Sequence, residues 1–276
     1  MMLRTLVKPV LVASMLMAGQ VTAAPGASQV LEASPIDDIV ALYPAMMSAG
    51  IREGLKQSGG VPPMVAETVG YVVSNSFSAA DIEQQVVENL ESNLSGSELQ
   101  AVHDWYASPV AKKISSAEIA ASDPSAWKGI QARAPELSKK YQGSLRAKLF
   151  ERFDRASRAT ESAVDTSIAV QLSMASAVAA LSSDSVHYDT LKQQIEGQRS
   201  MLRGTVGQQV YDSYLYTYEN ISDQELGLYL DFLESGPGSA FSSVVTDSIQ
   251  QAITDPIEAM GGQIARFLAP APANGQ

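Results

Sequence analysis

Two glutamates occupy equivalent positions of a motif that the chain contains twice, and paired carboxylates are a common arrangement for general acid–base catalysis. Glu98 and Glu225 lie 127 residues apart. To work as an acid and a base, one of them would need a pKa raised by burial or by the charge of the other. Each glutamate, however, follows a serine by three residues, which is the spacing of a capping box at a helix N-terminus. Capping accounts for both glutamates, so no catalytic residue is predicted.

Metal-dependent and nucleotide-dependent chemistry is not indicated either. The two histidines, His103 and His187, fall at unrelated positions, and the chain has no cysteine. A closed metal site would need carboxylates from scattered places, so neither a metal nor another cofactor is predicted. A nucleophile elbow, a Walker loop and a dinucleotide-binding fingerprint are also missing from the sequence. We therefore expect a protein without enzymatic activity.

The repeated motif predicts a helix, a sharp joint and a second helix. Its copies occupy residues 94–113 and 221–238. In each copy a serine caps the helix, a glutamate completes the box, and the residue before the cap can pack on the fourth helical residue. Aromatic residues and a Ser-Pro or Ser-Gly-Pro break follow about three turns later. The residues of this structural motif are Ser95, Glu98, Leu99, Trp105, Tyr106, Ser108, Pro109, Ser222, Glu225, Leu226 and Phe232.

The spacing of apolar residues predicts an all-α fold, a bundle of about ten helices in two tandem, pseudo-repeated halves. Between Pro135 and Leu181 apolar residues recur every three to four positions, which predicts one long or once-kinked bridge helix between the halves. Two further helices are expected after Pro237, separated at Pro256. The predicted segments are a flexible lead at 24–33, a first helical repeat at 34–134, a second helical repeat with the bridge helix at 135–270, and a disordered tail at 271–276. Whether the repeats share one core stays open.

The first 23 residues have the pattern of a secretory signal peptide. Arg4 and Lys8 precede an apolar stretch, and small residues up to Ala23 form a cleavage site. That stretch is too short to span a bilayer, and no later stretch reaches about 18 uninterrupted apolar residues. We therefore expect a periplasmic mature protein without a transmembrane segment. The net charge of -11 argues against nucleic acid as a partner.

The first copy of the motif resembles the signature of a family of bacterial exported proteins that carry a small helical domain of unknown function. The resemblance rests on Glu98-Leu99, on Trp105-Tyr106 and on the run from Ser108 to Lys113. It implies export and an all-α fold, and it brings no catalytic residues. The second copy departs from the signature, because Gly236-Pro237-Gly238 replaces the Ser-Pro step and Ser239-Ala240 replaces the lysine pair.

Two clusters outside the motif are candidates for a ligand or surface site. The first consists of the tyrosines Tyr211, Tyr214, Tyr218 and Tyr229, which could line a groove for a sugar or an apolar tail. Packing in the core is the favoured interpretation, because positions 211, 214 and 218 are spaced for one buried helical stripe.

The second cluster is basic. The segment 133–158 holds eight basic residues, among them Arg152 and Arg155, against three acidic ones. Such a segment either pairs with acidic helices of the same chain, which is the favoured interpretation, or presents a cationic strip to anionic envelope components.

The function expected from these features is binding of an unidentified protein partner in the cell envelope. The alternative is a binder of an apolar or lipid-like small molecule between the helical halves, where bundles commonly place ligands. A cavity lined by Met46, Met47, Met174 and the tyrosines would favour the small molecule, whereas a filled core would favour the protein partner. A hydrolase that uses carboxylates is a third class, and the oligomeric state stays open.

Overall fold

The computed structural model describes residues 24–58, 62–181 and 188–268, and within these ranges the chain is helical without a strand. The all-α prediction is confirmed. The predicted signal peptide, His187 and the predicted tail at 271–276 lie outside the described residues. The helices are α1 (Ala27–Ala33), α2 (Ile36–Ser58), α3 (Pro63–Ser76), α4 (Ala79–Asn93), α5 (Gly96–Ala107), α6 (Pro109–Ser122), α7 (Trp127–Tyr141), α8 (Leu145–Ser157), α9 (Ala159–Leu181), α10 (Tyr188–Glu196), α11 (Arg199–Thr217), α12 (Asp223–Leu233) and α13 (Gly236–Leu268), with a 3-10 turn at Pro124–Ala126.

Most of the segment predicted as a flexible lead is a helix, so that prediction is wrong. Helix α1 buries Ala27, Val30 and Leu31 almost completely. These positions are spaced as i, i+3 and i+4, which puts them on one helical face. That face packs against α4 and α5, and seven residues suffice for a helix because burial of this face stabilises it.

The single bridge helix is also wrong, because three helices, α7, α8 and α9, cover the segment. Gly143 has φ +69°, a left-handed conformation that ends α7, and Ser144 then caps α8 by accepting a hydrogen bond from Ala147 N at 3.3 Å. Arg158 ends α8 with φ 55°, which is uncommon for a residue with a side chain. Only the first of these two breaks contains a glycine, the residue that indicates such a break in a sequence.

Two prolines that were predicted to separate helices lie inside them. Pro135, at the predicted boundary between the repeats, lies within α7, and Pro256 lies within α13. The expected two C-terminal helices are therefore one.

One continuous cluster of buried residues contains side chains from both predicted repeats, from α1 through α13. Helix α13 contributes to this continuity by packing against α4, α5 and α9. A smaller cluster of Val164, Ile168, Leu172 and Ile195 lies between α9 and α10. The two repeats therefore share a main core, and the pseudo-repeat itself stays a prediction.

Both copies of the motif begin with a capping box. Ser95 Oγ accepts from Glu98 N at 3.4 Å, and Ser222 Oγ accepts from Glu225 N at 3.2 Å. In return the two glutamates accept hydrogen bonds from the backbone N–H of their capping serines, at 2.8 and 2.7 Å. Ser108 ends α5 and caps α6, with Ala111 N donating to its Oγ at 3.2 Å and Pro109 in the first turn.

The two copies pack face to face. The Trp105 ring stacks on Phe232 at a centroid distance of 4.8 Å, and Tyr106 meets the same ring edge-on at 5.7 Å. At the start of the motifs, Leu99 and Leu226 are buried.

Within the described ranges no helix combines the length and hydrophobicity that crossing a bilayer requires.

Candidate functional site

A cavity of about 870 Å³ lies between α2, α6, α7, α11, α12 and α13. Its walls are mostly apolar and aromatic, with Ile39, Met46, Trp127, Ile130, Phe153 and Phe241 among them. A cavity of this size and lining is typical of a small-molecule site, which usually offers apolar walls and a few polar groups that fix orientation.

The central polar group of this cavity is the carboxyl of Glu118 on α6. Ala111 and Ile114 are buried two turns and one turn earlier, and Glu118 continues the same face. The Tyr218 hydroxyl donates to Glu118 Oε1 at 2.6 Å, and Tyr229 is a second hydrogen-bond partner. The side chain is partly exposed to the cavity, but its carboxyl lies deep in the protein. Burial therefore raises the pKa of Glu118 to about 7, although the two tyrosine hydrogen bonds act in the opposite direction.

The predicted tyrosine cluster is brought together around this carboxyl. Tyr214, Tyr218 and Tyr229 are buried and line the cavity, whereas Tyr211 is half-buried and packs edge-on against Phe150 at 6.2 Å. Burial, and next the charge of Glu118, raises the pKa of Tyr218 and of Tyr229. Their hydroxyls therefore keep their protons and act as hydrogen-bond donors. Core packing and lining of a cavity, which the sequence presented as alternatives, are both true of these three side chains.

Asp154 on α8 binds the hydroxyl of Tyr214, a further polar group of the site. Its Oδ1 accepts from the Tyr214 hydroxyl at 3.0 Å and from Thr160 N and Thr160 Oγ1 at 3.0 and 2.8 Å. The Thr160 contacts satisfy donors in the first turn of α9, directly after the left-handed Arg158. The break between α8 and α9 thus also positions Tyr214.

A second cavity of about 620 Å³ lies next to α2, the helix that also lines the first cavity. It is lined mainly by apolar residues of α2, α9 and α10, including Met47, Leu55 and Val170. Met46, Gly50 and Gly54 line both cavities. Of the residues whose presence in one cavity would favour a small molecule, Met46 and three tyrosines line the first cavity, Met46 and Met47 line the second, and the Met174 side chain lies outside the described residues.

The basic segment pairs with acidic residues that follow it in the chain. Arg146 is buried, and it donates through Nε to Asp223 Oδ1 at 2.9 Å and to two backbone carbonyls at the α11–α12 turn, at 2.8 and 2.5 Å. Arg152 Nη2 lies 2.7 Å from Glu234 Oε2. Arg155 is exposed, and its charge adds to the Arg152 hydrogen bond that lowers the pKa of Glu234. Arg133 pairs with Glu219, and Arg158 with Asp247.

Glu98 and Glu225 do not form an acid–base pair. Hydrogen bonds from Ser95 lower the pKa of Glu98. Lys113 Nζ lies 2.8 Å from Glu225 Oε1, and this contact, with the cap hydrogen bonds, lowers the pKa of Glu225 to about 2. Both carboxylates therefore stay ionised at neutral pH, and an ionised carboxylate has no proton to donate as a general acid.

Lys113, the second lysine of the first motif's pair, in this way joins the first copy to the cap of the second.

The other histidine considered above, His103, has its Nδ1 3.8 Å from Asp104 on the same helix. Among the described residues, no three histidine, aspartate or glutamate side chains gather as metal ligands would.

Sequence reasoning missed Glu118, the residue at the centre of the site. A signal was present, because positions 111, 114 and 118 form one helical stripe, and a glutamate that continues a buried stripe is unusual. Its partners on α11 and α12 are about a hundred residues away in the chain and could not be assigned by spacing.

Comparison with known proteins adds one local finding. No curated protein and no solved structure matches the chain. A family model matches residues 80–140, the segment from α4 into α7 that contains the first copy of the motif, Lys113 and Glu118. Tyr218 and Tyr229, which form hydrogen bonds with Glu118, come from outside that segment, and the match does not bear on the second copy. Over residues 80–140 the chain is thus similar to the family described as an uncharacterised protein conserved in bacteria, DUF2059.

Proposed function

We propose that this chain is an exported, non-enzymatic binding protein of the bacterial envelope that holds a small, mostly apolar molecule in the cavity around Glu118. The observation that carries the proposal is a cavity of about 870 Å³ whose mostly apolar walls contain the hydrogen-bonded carboxyl of Glu118. Drug-sized ligands occupy cavities of roughly 300–1,000 Å³ with this character.

The position of the polar groups supports binding over catalysis. The carboxyl of Glu118 and the hydroxyls of Tyr218 and Tyr229 satisfy one another, and no nucleophile activated by a base is found among the described lining residues. Export is supported by the charged, apolar and small-residue pattern of residues 1–23. Fractionation of the native host, with mass determination of the protein in each fraction, tests export and cleavage after Ala23.

The binding proposal is tested by narrowing the cavity. Gly50 lines it, and a Cβ added there would meet only the Trp127 ring, at 3.8 Å, so Gly50→Leu places its side chain against the cavity without a backbone clash. We expect the wild type to bind the apolar fluorophore Nile red at one site, and Gly50→Leu to weaken that binding at least about tenfold.

Gly204→Leu is the matched control. It is also a glycine within a helix, it is exposed with open space around its Cβ, and it is not among the lining residues. This variant should bind Nile red as the wild type does. Equal binding by the wild type and Gly50→Leu would refute the cavity as the site, and extraction of the natively purified protein for mass spectrometry would show whether it carries a small molecule.

Binding of a protein partner is the second candidate, and a specific observation favours it. Met64 and Tyr71 on α3 are 78% and 71% exposed, and they lie seven residues apart, on one face of the helix. Crosslinking in intact envelopes compares the wild type with a Met64→Ser/Tyr71→Ser variant. A crosslinked partner that this variant loses and Gly50→Leu retains would support partner binding through α3.

A further inference from the structure

We infer that the molecule held in the cavity is a cationic amphiphile, an ammonium group on an apolar body, with the ammonium group paired to the Glu118 carboxylate. The inference rests on the proposed function, because it assigns the chemical class of ligand to the same cavity. It follows from the charges of the lining, from the use of its hydrogen bonds, and from the aromatic rings.

The charged residues among the described lining are all acidic. They are Glu53 on α2, Glu118 on α6 and Asp212 on α11. Asp154 is a further acidic residue of the site, and it accepts a hydrogen bond from the Tyr214 hydroxyl. No lysine, arginine or histidine belongs to this described lining. A carboxylate or phosphate head group would meet like charge without a counterion here, which disfavours fatty acids and anionic lipids.

The tyrosine protons around Glu118 and Asp154 are already used in hydrogen bonds. A tyrosine hydroxyl has one proton and two lone pairs. The Tyr218 proton goes to Glu118, and the Tyr214 proton goes to Asp154. What these groups still offer is acceptor capacity, on the carboxylate oxygens and on the phenol oxygens. An ammonium group has three donors and no acceptor, so it complements such a site.

Aromatic rings add attraction of the same sign. The rings of Tyr106, Trp127, Phe153 and Phe241 line the cavity together with the tyrosines of the site. The face of an aromatic ring carries negative potential and attracts a cation, most strongly where water is excluded. An apolar chain attached to the ammonium group would find further room along α2, since Met46, Gly50 and Gly54 border both this cavity and the second one.

Binding of a cation to Glu118 must depend on pH, because the carboxyl has to lose its proton first. Burial raises the pKa of Glu118 to about 7, so the carboxylate becomes the main form only above that pH. The titratable groups that face or surround it are Glu53 of α2, Tyr106 of α5, Asp154 of α8, Asp212 and Tyr214 of α11, Tyr218 directly after α11, and Tyr229 of α12. Affinity for an ammonium ligand should therefore rise with pH through neutrality, whereas affinity for a neutral ligand of the same length should not.

The test compares three ligands that share one chain and differ in the head group, namely decylamine, decanol and decanoate, by competition against Nile red. An alkylamine keeps its charge between about pH 6 and pH 8, since its pKa resembles that of lysine at about 10.4. For the wild type at pH 8 we expect decylamine to bind at least about tenfold more tightly than decanol, as a hydrogen bond to a charged partner allows. Decanoate should be the weakest, and decylamine binding should strengthen nearly tenfold between about pH 6 and pH 8.

The variant Glu118→Gln keeps the acceptor for Tyr218 and loses the charge. In this variant most of the preference for decylamine over decanol should be lost, and the pH dependence of decylamine binding should vanish. Glu83→Gln, at an exposed position of α4, is the matched control and should behave as the wild type.

Two results would overturn the inference and leave the proposed function intact. One is decanoate binding at least as tightly as decylamine to the wild type, with Gly50→Leu still blocking both. The other is an amine preference that Glu118→Gln leaves unchanged. If Nile red and all three ligands fail to bind the wild type, the proposed function fails, and the inference fails with it.

Discussion

Replacing Glu118 by glutamine should remove a large part of the pH dependence of folding stability. In the folded protein burial raises the pKa of this carboxyl to about 7, from a value of 4.5 for an exposed glutamate. Below pH 4.5 the carboxyl is protonated in both states and does not affect the balance. Between pH 4.5 and pH 7 the unfolded chain loses the proton while the folded protein keeps it, so the free energy of unfolding falls with rising pH.

The size of the effect follows from the shift. One pKa unit corresponds to about 1.4 kcal/mol, so the loss of stability across this window amounts to about 3 kcal/mol. Glutamine is neutral at every pH and can still accept the hydrogen bond that Tyr218 donates. Glu118→Gln should therefore match the wild type near pH 4.5 and exceed its stability by up to about 3 kcal/mol at pH 8.

Urea denaturation followed by circular dichroism, at a series of pH values, measures this difference. Carboxylates with a lowered pKa, such as Glu225 and Glu234, add the opposite slope, but they do so equally in both proteins. Glu83→Gln, on the exposed side of α4, controls for the removal of one acidic group. Parallel stability curves for the wild type and Glu118→Gln would refute the buried, protonated carboxyl and weaken the cation site that depends on it.

Three further predictions concern the rest of the chain. Arg146→Met should lower the free energy of unfolding by at least about 2 kcal/mol, because two backbone carbonyls at the α11–α12 turn lose a charged donor; an unchanged urea midpoint would contradict this. Ser95→Ala and Ser222→Ala should each cost about 1 kcal/mol in the same assay, as loss of a helix cap usually does, and two unchanged midpoints would show that the caps contribute nothing. The purified protein should sediment weakly or not at all with anionic liposomes at physiological salt, since Arg152 already pairs with Glu234; binding that persists and disappears in an Arg152→Glu/Arg155→Glu variant would make α8 a membrane-docking element.

A helix cap or joint could be predicted from the sequence where all of the residues that form it lie within one short stretch. The capping boxes at Ser95 and Ser222 need only four consecutive residues, and both form. The Ser108-Pro109 joint is equally local and forms as well. The left-handed Arg158 had no such signal, because its conformation depends on Asp154 capping the next helix from six residues before Thr160. Helix propensity alone therefore predicted one continuous helix where the structure has α8 and α9.

The cavity shows a different limit of sequence reasoning. The position of Glu118 on a buried stripe could be predicted from the sequence of α6 alone. Its environment could not, because Tyr218 and Tyr229 reach it from helices whose placement depends on the packing of the whole core. The same holds for the basic segment: charge balance favoured internal pairing, but only the structure identifies Glu219, Glu234 and Asp247 as the partners.

The stack of Trp105 on Phe232 joins two residues at the same position of the two motif copies, 127 residues apart. For two copies of one unit, as the sequence predicts, a contact between equivalent residues is the kind that an isologous interface makes at its two-fold axis. A protein that carried a single copy would leave its aromatic pair uncovered as a monomer, and association of two identical chains about that axis would bury it again.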